Sequence, residues 1–359
     1  MSLRLLAATA ALFFQVASAA ASGPVLIPCR DTDAACAHEK RLKSPIRSGS
    51  FWKTAFDKPV TERLGVAPEE LLVYLNLDNI VAGVRERPRA ARITPELMAD
   101  IKLAVASIPA AVWKLAGSKL AGIHFVENLG GTALSDYVKG GWFAKDGGFI
   151  VLDTGILAQY KANEWATWKE NTPFIRDATF RLEAAIENDA GNTRANAIRY
   201  ILLHEIGHIV SVGTNVHPVW DAPPPAQANF AKDYPFAGLA WRPKADRSGY
   251  ESVFDAQFRL RKNVVYYFGA QLHAPRMVEV YASLESTNFP TLYAATSPGD
   301  DFAESFASYV HTVLDKRPWE IRLSKDGSAV ARLKSCWDTP RCREKRLLLD
   351  ALFARYFSR

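Results

Sequence analysis

The stretch 194–212 reads RANAIRYILLHEIGHIVSV, and it decides how the rest of the chain is interpreted. Apolar residues recur along it at helical spacing and predict one buried face: Ala195, Ile198, Leu202, Ile206 and Ile209. Asn192 and Thr193 just before it offer an N-cap, and Gly213 just after it offers a left-handed stop. The pattern therefore predicts a single helix over 194–212 that packs into the protein core.

Two histidines of this helix are four residues apart. His204 and His208 therefore project from one face, about one turn apart, where both imidazoles can reach one metal ion. Glu205 lies between them and can take a proton from a water at such a site. Gly207 costs the helix about 1 kcal/mol against alanine, so we expect another backbone or the metal site to approach it closely. The spacing predicts a zinc-dependent hydrolase, with two satisfied core histidines as the alternative.

A second helix start lies further along the chain. The sequence Ser297-Pro298-Gly299-Asp300 offers a serine N-cap, a proline at the first helical position and an aspartate in capping-box position. The helix continues to His311 with a predicted core stripe of Phe302, Phe306, Val310 and Val313. Another of its faces carries Glu304, Ser308 and His311.

With these two helices the chain resembles the glutamate zincins. The segment DDFAESFA at 300–307 is similar to the third-ligand helix of the anthrax lethal factor type of bacterial zinc peptidases. The resemblance covers about 192–212 and 289–312. It implies one Zn²⁺ per chain with His204, His208 and Glu304 as ligands, Glu205 as the general base, and Tyr293 assisting at the oxyanion.

The same resemblance implies an α+β, zincin-like fold that is mostly helical, with a small mixed sheet. The edge strand of that sheet would line the cleft and pair with an extended peptide substrate. The chain departs from the family pattern at Ser308, which stands where a carboxylate would orient a zinc-bound histidine. Candidates for that orienting role are Asp300, Asp301 and His311, and Tyr281 is an alternative to Tyr293.

The local patterns also predict the organisation of the chain. Strands are expected over 120–127 and 147–153, and helices are expected over parts of 51–110, 154–170, 173–189 and 248–286. The predicted divisions are a signal peptide at 1–19, a partly helical accessory segment at 20–110, a zincin-like domain at 111–335 with an insert at 213–290, and a helical tail at 336–359. His217 and His273, within the insert, are expected to be structural.

The amino terminus predicts export. Arg4 precedes an apolar run, and Ala17-Ser18-Ala19 fits a signal-peptide cleavage site. The four cysteines form two close pairs, Cys29/Cys36 and Cys336/Cys342, and an even count in an exported protein favours disulfides. Local pairing is the simplest connectivity, with cross-pairing of the two ends as the alternative. A periplasmic location is expected, with secretion as the alternative.

Composition narrows the function classes. The 359 residues are 48% hydrophobic and carry a net charge of +6, which is typical of a folded protein with a modest, dispersed charge. No nucleic-acid-binding module or stable membrane insertion is predicted, so the expected partner is a peptide or protein substrate. Two alternatives stay open: a zinc-stabilised binding or scaffold protein of the cell envelope, and a zinc hydrolase of non-peptide amide bonds.

Overall fold

The computed structural model describes residues 25–141, 146–220 and 222–357, and the predicted signal peptide lies outside them. The fold is α+β, as expected. The helices are α1 (Ala34–Leu42), α2 (Lys53–Phe56), α3 (Glu69–Ala82), α4 (Pro95–Ser107), α5 (Ala110–Ala116), α6 (Thr154–Gln159), α7 (Ala162–Asn171), α8 (Arg194–Ser211), α9 (Phe230–Asp233), α10 (Met277–Glu285), α11 (Pro298–Tyr309) and α12 (Arg343–Phe357). The strands are β1 (Leu64–Val66), β2 (Arg89–Ala90), β3 (Leu120–Glu127), β4 (Ala133–Val138), β5 (Gly147–Asp153), β6 (Phe174–Ile175), β7 (Phe180–Ala185), β8 (Trp241–Pro243), β9 (Tyr250–Ser252), β10 (Leu272–His273), β11 (Glu320–Lys325) and β12 (Ser328–Lys334).

The largest sheet has the order β1-β3-β5-β4, and β2 also pairs with β3. Strands β1, β3 and β5 are parallel, whereas β4 is antiparallel to β5 and forms one edge. The predicted strands at 120–127 and 147–153 are confirmed as β3 and β5. The edge strand β4 was not predicted, because Ser135 and Asp136 interrupt its apolar alternation.

Helix α8 confirms the predicted helix. The Thr193 side chain accepts a hydrogen bond from Asn196 N at 3.2 Å, which caps the amino terminus. Gly213 follows the carboxyl end with φ of 66°, in the left-handed region that favours glycine. The predicted core face is buried along its whole length. Helix α8 is therefore packed on both sides, and this packing fixes the positions of its side chains.

A three-stranded sheet of order β12-β11-β7 replaces the helix predicted over 173–189, and that prediction is wrong. Burial alternates along β7, which is the period of a strand. Side chains of α7 cover its free edge. Asn163 accepts from two backbone N–H groups following β7, Thr167 both accepts from and donates to Ala184, and Asn171 donates to a β7 carbonyl. These side chains form hydrogen bonds with the backbone groups along the edge of β7, so the edge is not available to pair with another strand.

The helix predicted over 248–286 is also mostly wrong. Only α10 is an α-helix there, and the remainder consists of turns, short 3₁₀ segments and the strands β9 and β10. Tyr267 and Gly269 have φ values of 67° and 98°, which no α-helix accommodates. The insert is therefore a loop-rich structure stabilised by its aromatic side chains.

Local disulfides lie near each end of the described part of the chain. The disulfides Cys29–Cys36 and Cys336–Cys342 confirm the predicted local pairing and fit an oxidising, exported environment. Helix α12 confirms the predicted tail helix, and it buries Lys345 in an ion pair with Asp301 of α11. Within the described ranges, no helix has the length and apolar character needed to cross a membrane.

Candidate metal centre and cleft

Helices α8 and α11 pack closely at Gly207, where α8 has no Cβ atom. A Cβ atom at Gly207 would lie 2.8 Å from the Cα of Ala303, closer than carbon atoms can approach without a shift. Glycine at this position therefore permits the contact, as the sequence led us to expect. The contact brings the first turns of α11 beside the histidine face of α8.

Three side chains converge at this crossing. The Nε2 atoms of His204 and His208 are 3.2 Å apart. Oδ1 of Asp300 lies 3.9 Å from Nε2 of His204 and 3.7 Å from Nε2 of His208. Among the residues that the structure describes, these three form the group of histidine and carboxylate side chains that could hold a metal ion.

Glu304, the expected third ligand, is not a member of this group. Its Oε1 atom lies 3.1 Å from Nδ1 of His204, on the opposite side of the ring from the metal-competent Nε2. Lys169 Nζ donates to the same oxygen at 2.7 Å, and Thr291 donates to the other oxygen at 2.7 Å. Asp300 thus faces both histidines and Glu304 stands behind one of them, and Glu304 as a metal ligand stays a prediction.

Asp300 is oriented by the start of its own helix. Ser297 caps α11 by accepting from Asp300 N, and its hydroxyl also donates to Asp300 Oδ2 at 2.7 Å. Thr296 donates to the same oxygen at 3.0 Å. Oδ1 is left to face the histidines. The sequence offered Asp300 as a capping residue and as a candidate to orient a histidine, but not as a ligand, because a capping role explains an aspartate at this position without any metal.

The other residues proposed for an orienting role have different partners. Asp301 binds Lys345 and accepts from the Trp241 indole at 3.0 Å. His311 Nε2 contacts the backbone oxygen of Ile186 at 2.7 Å. Ser308 bonds back to the Glu304 carbonyl. Among the described residues, Glu304 is therefore the carboxylate beside Nδ1 of His204, the ring nitrogen that faces away from the group.

A buried charge cluster lies behind His204. Lys169 contacts Glu304 and also lies 3.7 Å from Glu170. The hydroxyls of Tyr266 and Tyr281 donate to Glu170 at 3.0 and 2.8 Å. Burial alone would lower the pKa of Lys169, but its two carboxylate neighbours raise that pKa. The cluster therefore keeps Lys169 charged beside the Glu304 carboxylate, whereas burial raises the pKa of Glu170. Tyr281, the alternative to Tyr293, belongs to this cluster.

Glu205 is directed toward the edge strand β4. The Ser135 hydroxyl donates to Glu205 Oε2 at 2.7 Å. Burial raises the pKa of Glu205 above its ordinary value, although His204 and the Ser135 hydroxyl act in the opposite direction. A buried carboxylate with a raised pKa is suited to accept and return a proton.

Tyr293 also lies at the group. Its ring centroid is 5.4 Å from that of His204, and Lys169 Nζ lies 4.7 Å from the tyrosine ring centroid. Burial raises the pKa of the Tyr293 phenol well above its ordinary value, so the hydroxyl keeps its proton. Its role at an oxyanion stays a prediction.

The group opens into a cleft of about 260 Å³. One wall is the turn and strand Leu129–Ser135, another is the end of α3 with Asp78 and Asn79, and a third is the aromatic pair Tyr267 and Phe268. A larger depression of about 760 Å³ beside α7 and β7 contains none of the three metal-competent side chains. The smaller cleft is therefore the one associated with the candidate chemistry.

The insert contributes one histidine beside the site and one remote from it. His217 is buried, and its Nδ1 lies 2.7 Å from the backbone oxygen of Pro218. Its ring is 6.1 Å from that of Trp220, which in turn is 5.8 Å from the ring of His208. His273 is exposed on β10. Neither histidine belongs to the metal-competent group.

Comparison with known proteins leaves the site to be interpreted from its own geometry. No protein-family model matches the chain. Searches of curated proteins and of solved structures also found no match.

Proposed function

We propose that this protein is an exported zinc-dependent peptidase in which His204, His208 and Asp300 hold the metal. The observation that carries the proposal is the triangle of their three ligand atoms, with sides of 3.2, 3.7 and 3.9 Å. Tetrahedral zinc with bonds of 2.0–2.1 Å requires ligand atoms about 3.3 Å apart. The donor set of two imidazoles and one carboxylate is also typical of catalytic zinc.

The surrounding residues support a catalytic rather than a structural centre. When bound, zinc supplies a Lewis acid that polarises a carbonyl group and activates water. Glu205, aligned by Ser135, accepts the proton of the attacking water and returns it to the leaving amine. The Tyr293 hydroxyl, which keeps its proton, would donate to the developing oxyanion. A structural site has no use for such a base, which argues against the scaffold alternative.

The buried cluster behind His204 supports metal binding. A metal-ligating histidine usually donates its other ring N–H to a carboxylate, which sets its tautomer and orientation. Glu304 is in position to take that role at Nδ1, and Lys169 and Thr291 hold the carboxylate in place. Burial alone would raise the pKa of Glu304, but the charges of Lys169 and His204 hold that pKa below its ordinary value.

The edge strand supports a peptide substrate. Among the described residues, no backbone group bonds the outward N–H and C=O groups of Ala133 and Ser135, next to Glu205. An extended peptide can pair with these groups and place one of its amide bonds beside the metal group. The two disulfides fit the oxidising environment of an exported protein, and a periplasmic location remains our expectation.

The test is the zinc affinity of three purified, folded proteins: wild type, Asp300→Asn and Glu304→Gln. We expect one zinc per wild-type chain by mass spectrometry. Asp300→Asn should lose stoichiometric zinc, because it weakens a ligand. Glu304→Gln should still bind zinc, with affinity lower by about 10–100-fold, because it alters only the histidine's partner.

The reverse pattern, in which Glu304→Gln loses zinc and Asp300→Asn retains it, would show that Glu304 is the ligand. A folded wild type that binds no zinc would contradict the proposal as a whole. Glu279→Gln, on the exposed face of α10, is the matched control and should bind zinc as the wild type does.

A further inference from the structure

The outer edge of β4 is open at one end only. Backbone groups of an antiparallel edge strand point alternately inward and outward. Thr132 O accepts from Asp153 N on the β5 side, so Ala133, Ser135 and Tyr137 direct their backbone groups outward. These are the positions at which an added strand would pair.

The protein itself occupies the positions that follow. The outward N–H of Tyr137 donates to the Asp136 carboxylate at 2.7 Å. Two residues further on, Lys139 N donates to Arg47 O at 2.8 Å, and Gly49 N donates to Lys139 O at 2.9 Å. The amino-terminal segment thus pairs with the chain just beyond β4, in a parallel bridge between Ser48 and Lys139. Ala133 and Ser135 remain as the free part of the edge.

Trp220 lies beside the same end of β4 and close to His208. Its indole N–H lies 3.4 Å from Asp136 Oδ1 on β4, and its ring is 5.8 Å from the ring of His208 on α8. The Tyr137 ring packs edge-on against it at 6.4 Å. The Tyr74 hydroxyl of α3 donates to the other Asp136 oxygen. The Trp220 indole therefore reaches from the edge strand β4 to helix α8. Its partner on β4, Asp136, is itself held in place by Tyr74.

We infer that this wall closes the half of the cleft that receives the amino-terminal side of a peptide substrate. This inference rests on the proposed peptidase function. Antiparallel pairing has the better hydrogen-bond geometry, so a paired substrate directs its amino terminus toward Tyr137 and Trp220. The distance from Ser135 to the occupied Lys139 is about 13 Å at 3.3 Å per residue, so at most about three substrate residues fit before the chain's own pairing begins. The protein is thus a peptidase that cuts near amino termini, releasing short fragments.

The experiment uses the zinc-loaded full-length mature protein and a mixture of unblocked peptides of mixed sequence, each about fourteen residues long. The cut positions are mapped by mass spectrometry at early times. We expect the cuts to cluster within about three residues of the amino terminus. Cuts spread evenly through the peptides, at similar rates, would overturn the inference while supporting the proposed function. A zinc-loaded protein that cuts no peptide would contradict the proposed function, and the inference with it.

Trp220→Ala gives an independent readout. Removing the indole should raise the ratio of internal to amino-terminal cuts by about tenfold or more, because specificity follows the ratio of kcat/KM values for the two positions. Leu103→Ala, at an exposed site on α4, is the matched control and should leave that ratio unchanged. If the folded, zinc-loaded Trp220→Ala protein shows the wild-type ratio, the indole does not form the wall. The wild-type map provides a test that does not depend on the variant folding.

Discussion

Asp300 and Glu304 are one helical turn apart, and in the proposed function they take two different roles at the metal site. The shorter side chain reaches over the histidines and presents one oxygen to both Nε2 atoms. The longer one passes behind His204 to Nδ1, where Lys169 compensates its charge. Spacing alone cannot assign these roles, because both carboxylates leave the same helix toward the same neighbour. The assignment depends on where α11 crosses α8.

Glu205→Gln tests the proposed base at the residue scale. The variant should bind zinc as the wild type does, because residue 205 is not in the metal-competent group. Its peptide turnover should fall by roughly 10²–10⁴-fold, since the amide cannot accept a proton. Zinc content and turnover of the same peptide mixture are measured together. Retention of most of the activity would remove Glu205 from the mechanism.

His124 on β3 provides a pH-dependent prediction unrelated to the metal. Both of its ring nitrogens are buried without a hydrogen-bond partner among the described residues, and burial lowers its pKa to about 4. In the unfolded chain the pKa of this histidine is about 6.5. Between these values the unfolded state holds a proton that the folded state lacks, so the free energy of unfolding decreases as the pH falls.

We expect His124 to account for roughly 3 kcal/mol of lost stability between pH 7 and pH 4. His124→Phe should reduce this loss, as measured by urea unfolding at the two pH values. The exposed His273→Phe is the control, and it should keep the wild-type acid sensitivity. Equal acid sensitivity in both variants would argue against His124 as the source.

At the scale of elements, α11 is held from two sides. Gly207 lets it approach α8, and α12 packs against its other face. The ion pair between Lys345 and Asp301 joins α12 to the first turn of α11, and both side chains are fully buried. The tail helix therefore stabilises the segment that presents Asp300 to the histidines.

Lys345→Met tests this attachment. The variant leaves a buried carboxylate without its cation, which should lower the free energy of unfolding by about 3–5 kcal/mol in urea. Arg276→Met breaks an exposed ion pair with Glu279 and should have no measurable effect. Similar losses in the two variants would show that burial of the Lys345 pair has no special energetic role.

At the scale of the whole molecule, distant segments of the chain meet at the cleft. The amino-terminal segment supplies β1 to the main sheet, pairs with Lys139 beyond β4, and contributes α3 to one wall. The insert contributes Tyr267 and Phe268 to the cleft, and Trp220 beside His208. Residues on both sides of the predicted boundary at 110 share one sheet and one apolar cluster. Access to the candidate site therefore depends on segments that are distant from one another in the sequence.

The two disulfides should differ in their reaction with a mild reductant under native conditions. Cys29 and Cys36 are partly exposed, whereas Cys336 and Cys342 are 1% and 0% exposed. Because thiol exchange needs access to a sulfur atom, we expect Cys29–Cys36 to be reduced first, as detected by differential alkylation and mass spectrometry. Zinc content should remain unchanged at that stage. Simultaneous reduction of both bonds would indicate global opening instead.

The sequence by itself determined the local features that depend on short-range physics. The α8 helix and its caps, the start of α11, the buried strands β3 and β5 and both disulfides follow from periodicity, capping residues and cysteine spacing. The pairing of His204 with His208 follows from the helical repeat alone. These features need no knowledge of how the elements pack.

The tertiary structure decided the rest, because the rest depends on contacts between distant segments. The edge strand β4 is a strand because β5 pairs with it, although its own sequence has weak alternation. Strand β7 is stabilised by β11 and by the side chains of α7. The close crossing of α8 and α11 at Gly207 brings Asp300 into the metal-competent group with His204 and His208. The same crossing brings Glu304 beside His204. A helix crossing is set by packing over the whole interface, which no local pattern encodes.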